Sequence, residues 1–573
     1  MKKILWMSLV ALLSVAFSAQ AQTIIHTEAL SCPEDTAIQI QMIFADSVDM
    51  QIQYGLSPGT YPYQTSWQTF ADSLPASIHL HALLPDTLYY YRVRYRPPGS
   101  ALIQTRNEHH FHTARSVAHS FVFTVQADPH LDEQSDTAIY RRCLQNQLED
   151  NPDFTIDLGD FLMTDKLKNS SNQIPFDTIP FRCHLLRHYY DSISHSVPLF
   201  WALGNHEGEA AWNMNGTANN IAVWDAKQRM QYFPNPITDG FYSADTTQFA
   251  FTGLRENYYS FTWGNALFVI LDPYGYTSTK PDSLHGWRWT LGKGQYDWLK
   301  YTLEHSNATF KFVFAHQLIG GDPDGRGGVE FADRYEWGGN NLDGSPGFAT
   351  NRPGWYKPIK DLLTENKVNI FFHGHDHFFG KQEKDCLIYQ ETPQPSHPNF
   401  LTTNQATDYG YVQGQILSNS GHIRITVNPN DTKVEYIRAY KTADESATRH
   451  NKDIAATYII PAVNCYDSLS TDIPIIWNAE YANEFIYPNP FHQETQIQFS
   501  LKKTDNISID IYNANGTLVR RLLNTTTMLA GKYLVSWDGK DNHAQKLPSG
   551  LYLIRCYTDS TLLFTDKIIF HQD

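Results

Sequence analysis

The stretch Phe121-Val122-Phe123-Thr124-Val125-Gln126-Ala127-Asp128-Pro129-His130 reads as one buried strand that runs into two hard metal ligands. Its apolar part is rich in β-branched and aromatic residues, the composition of a strand covered on both faces. The pattern then recurs. Phe154-Thr155-Ile156 leads to Asp160, and Val197-Pro198-Leu199-Phe200-Trp201 leads to Asn205 and His206. Phe310-Lys311-Phe312-Val313-Phe314 leads to His316, and Val368-Asn369-Ile370-Phe371-Phe372 leads to His375 and His377. In open α/β sheets, functional side chains gather in the crevice outside the carboxyl ends of the strands. Donors scattered from residue 128 to residue 377 can therefore meet at one point. Carboxylate, imidazole and amide oxygen suit Zn, Mn or Fe, and no cysteine falls inside the clusters to favour a soft-ligand site.

The succession Asp128-Pro129-His130, Gly159-Asp160, Gly204-Asn205-His206-Glu207, His316 and Gly374-His375-Asp376-His377 resembles the calcineurin-like metallophosphoesterases across residues 118–440. The resemblance implies a central four-layer α/β/β/α core, placed here at residues 117–445, and two divalent ions of open identity (Zn, Mn or Fe). Asp160 would bridge them. Asp128, His130 and His377 would complete the first ion's shell, and Asn205, His316 and His375 the second's. By the same resemblance a hydroxide bridging the ions attacks phosphorus, and His206, carried to the rim by its neighbour Asn205, is the general acid for the leaving alkoxide. Two cations bring about four positive charges against the carboxylates Asp128 and Asp160, so an anionic ester is the expected guest. Purple acid phosphatases share this core and a leading β domain. They place tyrosine three residues after the bridging aspartate and lack the histidine of Asp-x-His, whereas Met163 and His130 stand here; no tyrosinate charge-transfer band is expected.

Arg326 lies in the loop Gly320-Gly321-Asp322-Pro323-Asp324-Gly325-Arg326-Gly327-Gly328 soon after His316. It is the candidate substrate-binding fork for a phosphate, with a solvated surface loop as the alternative. The aromatic stretch from Tyr335 through Trp337 to Trp355 either walls a cleft or packs a core.

With 573 residues the chain has room for about four domains. Lys2 and Lys3, the apolar run from Ile4 to Phe17 and Ala19-Gln20-Ala21 read as an export signal over residues 1–21. That run is too short for a bilayer span, so no transmembrane segment is expected in the mature chain. Residues 22–116 alternate apolar and polar side chains between turn signals, as a small β-sandwich does. Tyr54-Gly55 and Leu84-Pro85-Asp86-Thr87-Leu88-Tyr89-Tyr90-Tyr91 resemble fibronectin type III modules. Such a module either packs beside the active-site face or binds carbohydrate or matrix. A linker is expected at 446–483. Residues 484–573, from Tyr487-Pro488-Asn489-Pro490-Phe491 through the turn at Asn515-Gly516 to Ser549-Gly550-Leu551-Tyr552, resemble the C-terminal sorting domain of the type IX secretion system, and read as a second β-sandwich. The fold class expected is therefore multidomain α+β.

Six cysteines, Cys32, Cys143, Cys183, Cys386, Cys465 and Cys556, would enter an oxidising compartment. Their spacing selects no pairing, and at most one or two bridges and no catalytic thiol are expected. Lysine plus arginine total 44 and aspartate plus glutamate 60, a formal charge of 44 − 60 = −16, which disfavours a nucleic-acid backbone as partner. The leading expectation is a secreted or cell-surface dinuclear-metal phosphoesterase that hydrolyses small phosphate monoesters and is handled by the type IX secretion machinery. A phosphodiesterase using the same site is the runner-up, and a non-catalytic adhesin or glycan-binding protein is the reading from another class.

Overall fold

A computed structural model describes residues 22–322, 325–462, 485–501, 503–513, 516–558 and 562–572. The expected export signal and residues 463–483 of the expected linker lie outside the described residues, as does Asn515 of the expected C-terminal turn. The chain divides into two compact units, Met1–Tyr466 and Asp467–Asp573.

Two large sheets form the centre of the first unit. One has nine strands in the order Ile454–Pro461, Asp431–Arg438, Gly421–Val427, Phe121–Gln126, Phe154–Asp157, Leu199–Trp201, Ile24–Ser31, Ile38–Phe44 and Pro75–Leu80. Phe121–Gln126, Phe154–Asp157 and Leu199–Trp201 run parallel, in register at Val125↔Ile156↔Phe200. The other has eight strands, among which Ala266–Ile270, Phe310–Phe314, Ile370–His373 and Leu387–Glu391 are parallel neighbours. The alternation of side chains along each strand decides what lies between the sheets. Phe123, Phe154 and Phe200 from the first meet Phe268, Phe312, Phe314 and Phe372 from the second in one buried aromatic core. Phe268 is central there, edge-on to Phe123 at 5.0 Å and stacked on Phe261 at 4.9 Å.

The opposite faces carry helices. Leu267, Val269, Val313 and Phe371 pack on Tyr296, Leu299 and Leu303 of helix Gly292–Glu304 and on Leu362 and Leu363 of helix Ile359–Glu365. Leu199 and Trp201 pack on Tyr140 and Leu144 of helix Thr137–Glu149 and on Cys183, Leu186 and Tyr190 of helix Thr178–Tyr190. Helix Thr137–Glu149 begins where the Asp136 carboxylate accepts the amides of Ala138 and Ile139.

The N-terminal segment adds strands to the same sheet. Ser31 pairs in parallel with Leu199, so Ile24–Ser31 continues the row that carries Asp128 and Asp160. A six-stranded sheet built on Val48–Gly55 and Leu88–Arg96 faces it, and Met50, Ile52, Tyr91 and Val93 share a core with Ile40, Met42 and Ile78. The second unit is β-rich, with one sheet of three strands and one of four sharing Phe491, Ile497, Phe499, Ile509, Trp537 and Phe570. Cys32, Cys143 and Cys183 are free thiols and Cys386 is disulfide-bonded.

Phe268→Ala removes the ring between the two large sheets. It should destabilise the first unit by about 3–5 kcal/mol, read as a lower midpoint in denaturant unfolding; an unchanged midpoint would contradict this packing.

Candidate metal centre

The donor clusters all lie just past carboxyl ends of parallel strands. Asp128 and His130 follow Phe121–Gln126, Asp160 follows Phe154–Asp157, and Asn205 and His206 follow Leu199–Trp201. His316 follows Phe310–Phe314, and His375 and His377 follow Ile370–His373. Turning these side chains inward takes the backbone through left-handed conformations. Asp128, His130, Asp160, His375 and His377 have φ of 57°, 49°, 57°, 76° and 65°. Each such non-glycine residue costs about 1–2 kcal/mol, so the surrounding bonds must hold the turns in place. Where two turns pass this closely, only glycine fits. A Cβ on Gly159 would sit 2.4 Å from the Gly204 nitrogen, and one on Gly374 would sit 2.6 Å from Asp128 Oδ2.

Four side chains supply the hold, three of them buried and Arg326 partly exposed. Glu207 accepts the backbone amides of Asp160 at 3.0 Å, Phe161 at 2.8 Å and Leu162 at 3.1 Å, and that of Gly204. Glu391 accepts those of Asp376 and His377, each at 3.1 Å. The Arg182 guanidinium donates to the carbonyls of Leu131 at 3.0 Å and Phe161 at 3.3 Å, and also to those of His130 and Leu162, tying the Asp128 and Asp160 turns together. Arg326 donates to the His375 carbonyl at 2.6 Å and to Asp376 Oδ1 at 3.1 Å, with its guanidinium 4.2 Å over the Tyr409 ring. Arg326, the candidate phosphate fork, thus braces the His375–His377 turn.

Inside this frame the donors converge. Asp128 Oδ2 accepts the His375 amide at 2.9 Å and Asp160 Oδ1 the His206 amide at 2.8 Å, which leaves one oxygen of each carboxylate facing the imidazoles. Asp128 Oδ1 lies 3.3 Å from His377 Nε2 and 3.7 Å from His130 Nε2. Asp160 Oδ2 lies 3.3 Å from His316 Nε2, which is 3.2 Å from His375 Nδ1 and 3.1 Å from Asn205 Oδ1. His130 Nε2 is also 3.7 Å from Asp160 Oδ2, so Asp160 stands between the two groups. Two triads result, Asp128–His130–His377 and Asp160–His316–His375, with the ligand atoms of each within 4.8 Å of one another.

The arrangement fits a pair of divalent cations. Asp128 Oδ1 and His130 Nε2 are buried with no hydrogen-bond partner, a condition that costs about 1–3 kcal/mol per group unless something else satisfies it. His316 Nδ1 bonds the Leu158 carbonyl at 3.0 Å and His130 Nδ1 faces Asp132 Oδ2 at 3.3 Å, which turns the Nε2 lone pairs inward. Burial opposes charge on Asp128 and Asp160, yet the neighbouring histidines hold both carboxyls well below the usual range. Burial pushes His375 and His377 down, as ligating imidazoles require. It also opposes a proton on His130 and His316, but the carboxylates lift these two to about 11 and about 9. The field that attracts those protons is the field a metal ion would meet.

His206 stands at the rim. Its Nδ1 is 2.8 Å from Asp165 Oδ1, and Nε2 faces Asp160 Oδ2 at 3.9 Å. The sequence reading missed Asp165, Arg182 and Glu391, which carry no local signature, and passed over Glu207 although it stood in the quoted motif.

Residues 121–379 match the family model of the calcineurin-like phosphoesterases. The chain carries a calcineurin-like phosphoesterase domain. Residues 489–561 match the model of the FlgD Ig-like domain. Among solved structures, that of PhoD is similar with a TM-score of 0.56 at 14% identity, covering 78% of this chain and 92% of that one. A putative 5'-nucleotidase from Staphylococcus aureus has a TM-score of 0.29 at 13% identity, covering 60% of this chain and 54% of that one. FlgD from P. aeruginosa has a TM-score of 0.13 at 21% identity, covering 16% of this chain and 75% of that one. No curated protein matches the chain.

Glu207→Ala removes the acceptor for four amides of the Asp160 and Asn205 turns. Metal affinity, measured by competition with a chromophoric chelator, should fall about 10- to 100-fold; wild-type affinity would show that Glu207 does not position the donors.

Proposed function

We propose that this protein is an exported dinuclear-metal phosphoesterase that cleaves phosphate monoesters. The carrying observation is the meeting of two buried carboxylates, four imidazoles and the Asn205 amide, with Asp128 Oδ1 and His130 Nε2 left unpartnered. Asp160 serves both halves; Asp128, His130 and His377 hold one ion, and Asn205, His316 and His375 the other. Ions held there would polarise the phosphoryl oxygens and supply a nucleophile at neutral pH. Two cations exceed the charge of Asp128 and Asp160 by about two, which a dianionic monoester neutralises.

The chain's own proton donor is His206. Asp165, bonded to Nδ1, fixes the ring so that Nε2 faces the pocket beside Asp160. From there Nε2–H reaches the oxygen that departs from phosphorus. No metal ligand contributes this proton, so the role falls to a residue at the rim.

The family match over residues 121–379 supports the reaction class. Export rests on the sequence of residues 1–21, and passage by the type IX route on the pattern of residues 484–573. Arg326 acts on substrate through the turn it braces.

Metal-loaded full-length protein should hydrolyse p-nitrophenyl phosphate faster than bis-p-nitrophenyl phosphate and lose both activities to a chelator. His206→Ala should keep its metals and lose about 10²- to 10⁴-fold in kcat on an alkyl phosphate, whose leaving group needs the proton. Preference for the bis-ester would sink the monoester assignment, and hydrolysis indifferent to the chelator would sink the proposal as a whole.

A further inference from the structure

The segment from Thr392 to Ser420 crosses the Asp128 side of the centre and is fastened to the ligand turns at several points. Ser396 Oγ donates to the Pro129 carbonyl at 2.8 Å, between Asp128 and His130, and the Ser396 carbonyl accepts the Asp136 amide at 2.8 Å. Asn419 donates to the His377 carbonyl at 2.6 Å and accepts the Gln394 amide at 2.9 Å. Tyr411 donates to Asp376 Oδ2 at 2.7 Å. A strap tied to the residues beside four ligands, Asp128, His130, His375 and His377, holds a side chain next to its anchors at a fixed place beside the ligand turns.

That side chain is His397, next to the Ser396 anchor and only partly buried. His377, His130 and Asp132 lie within electrostatic reach of its ring. The backbone amide of Asn399 donates to His397 Nδ1 at 3.1 Å. A neutral ring that accepts at Nδ1 carries its proton on Nε2, and Nε2 has no hydrogen-bond partner among the described residues. The strap thus carries one N–H donor on the residue next to its Pro129 anchor, while His206 stands beside Asp160. Nothing in the packing of the strap calls for that donor. An anion bound between the triads does.

We propose that His397 is a substrate-binding residue of the phosphoester site, its Nε2–H donating to a non-bridging oxygen of the phosphoryl group. The inference rests on the phosphoesterase reading. It separates two jobs, with His206 protonating the departing oxygen and His397 holding an oxygen that stays on phosphorus. Product phosphate keeps that oxygen, so His397 should bind product as well as substrate.

The test uses full-length, metal-loaded enzyme, with p-nitrophenyl phosphate as substrate and inorganic phosphate as competitive inhibitor. His397→Ala should raise KM and the inhibition constant of phosphate together, by about 10- to 100-fold, with kcat changed far less and metal content equal to wild type. His397→Gln, which offers an amide N–H from a side chain of similar reach, should recover most of the loss. An inhibition constant unchanged in His397→Ala overturns the inference while leaving the phosphoesterase reading in place. Loss of metal in the alanine variant, or no recovery in the glutamine variant, assigns His397 to the frame and also overturns it. If phosphate neither inhibits nor binds the wild type, the phosphoesterase reading falls and this inference with it.

Discussion

Two carboxylates buried beside one another, Asp128 at 0% and Asp160 at 1% exposed, set the terms for the rest of this structure. Both face His130 Nε2 at 3.7 Å. Like charges so near one another in a dry interior repel by several kcal/mol, and burying either ion alone is costly. A fold tolerates such a pair only if positive charge is supplied. Four imidazoles converge on the carboxylates, which lift His130 to about 11 and His316 to about 9 against the opposing effect of burial.

The frame around the pair follows from that demand. Parallel strands of two facing sheets end on one side, so turns from both can approach a common point, and the aromatic core between the sheets fixes their spacing. The turns are strained, with five donors at positive φ. Glu207, Glu391, Arg182 and Arg326 bond backbone groups of those turns and keep the strain from relaxing. Their polar atoms serve geometry: the carboxyl groups gather amides and the guanidiniums gather carbonyls. In the proposed reading, substrate chemistry falls to side chains outside this frame, His206 with Asp165 bonded to it and His397 on its strap.

Much of the donor set was legible because its signal is local. A strand run of Phe, Val and Ile that ends in Asp, His or Asn can be read within ten residues, and five such runs in succession imply a common crevice. The family match at 121–379 falls inside the span expected for the central domain. What stayed hidden depends on partners far apart in the chain. Glu391 has no periodic or motif signature, and its role appears only when strand Leu387–Glu391 lies beside Ile370–His373. Arg182 lies in a helix whose sequence says nothing about the carbonyls it meets. The pairing of Ser31 with Leu199 joins the N-terminal strands to the central sheet, and parallel pairing over such a separation leaves no trace in either strand's own pattern. Arg326 was readable as a cation in a glycine-rich loop, but its direction was not.

The claim on which this account stands is that the two triads bind cations. Calorimetric titration of metal-free protein with Zn²⁺ at pH 7.5, run in two buffers of different ionisation enthalpy, tests it directly. The account predicts two ions bound per chain and about one to two protons released, because His130 and His316 must give up protons to ligate. Binding of a single ion or none, or binding with a heat that does not change between the buffers, would contradict it.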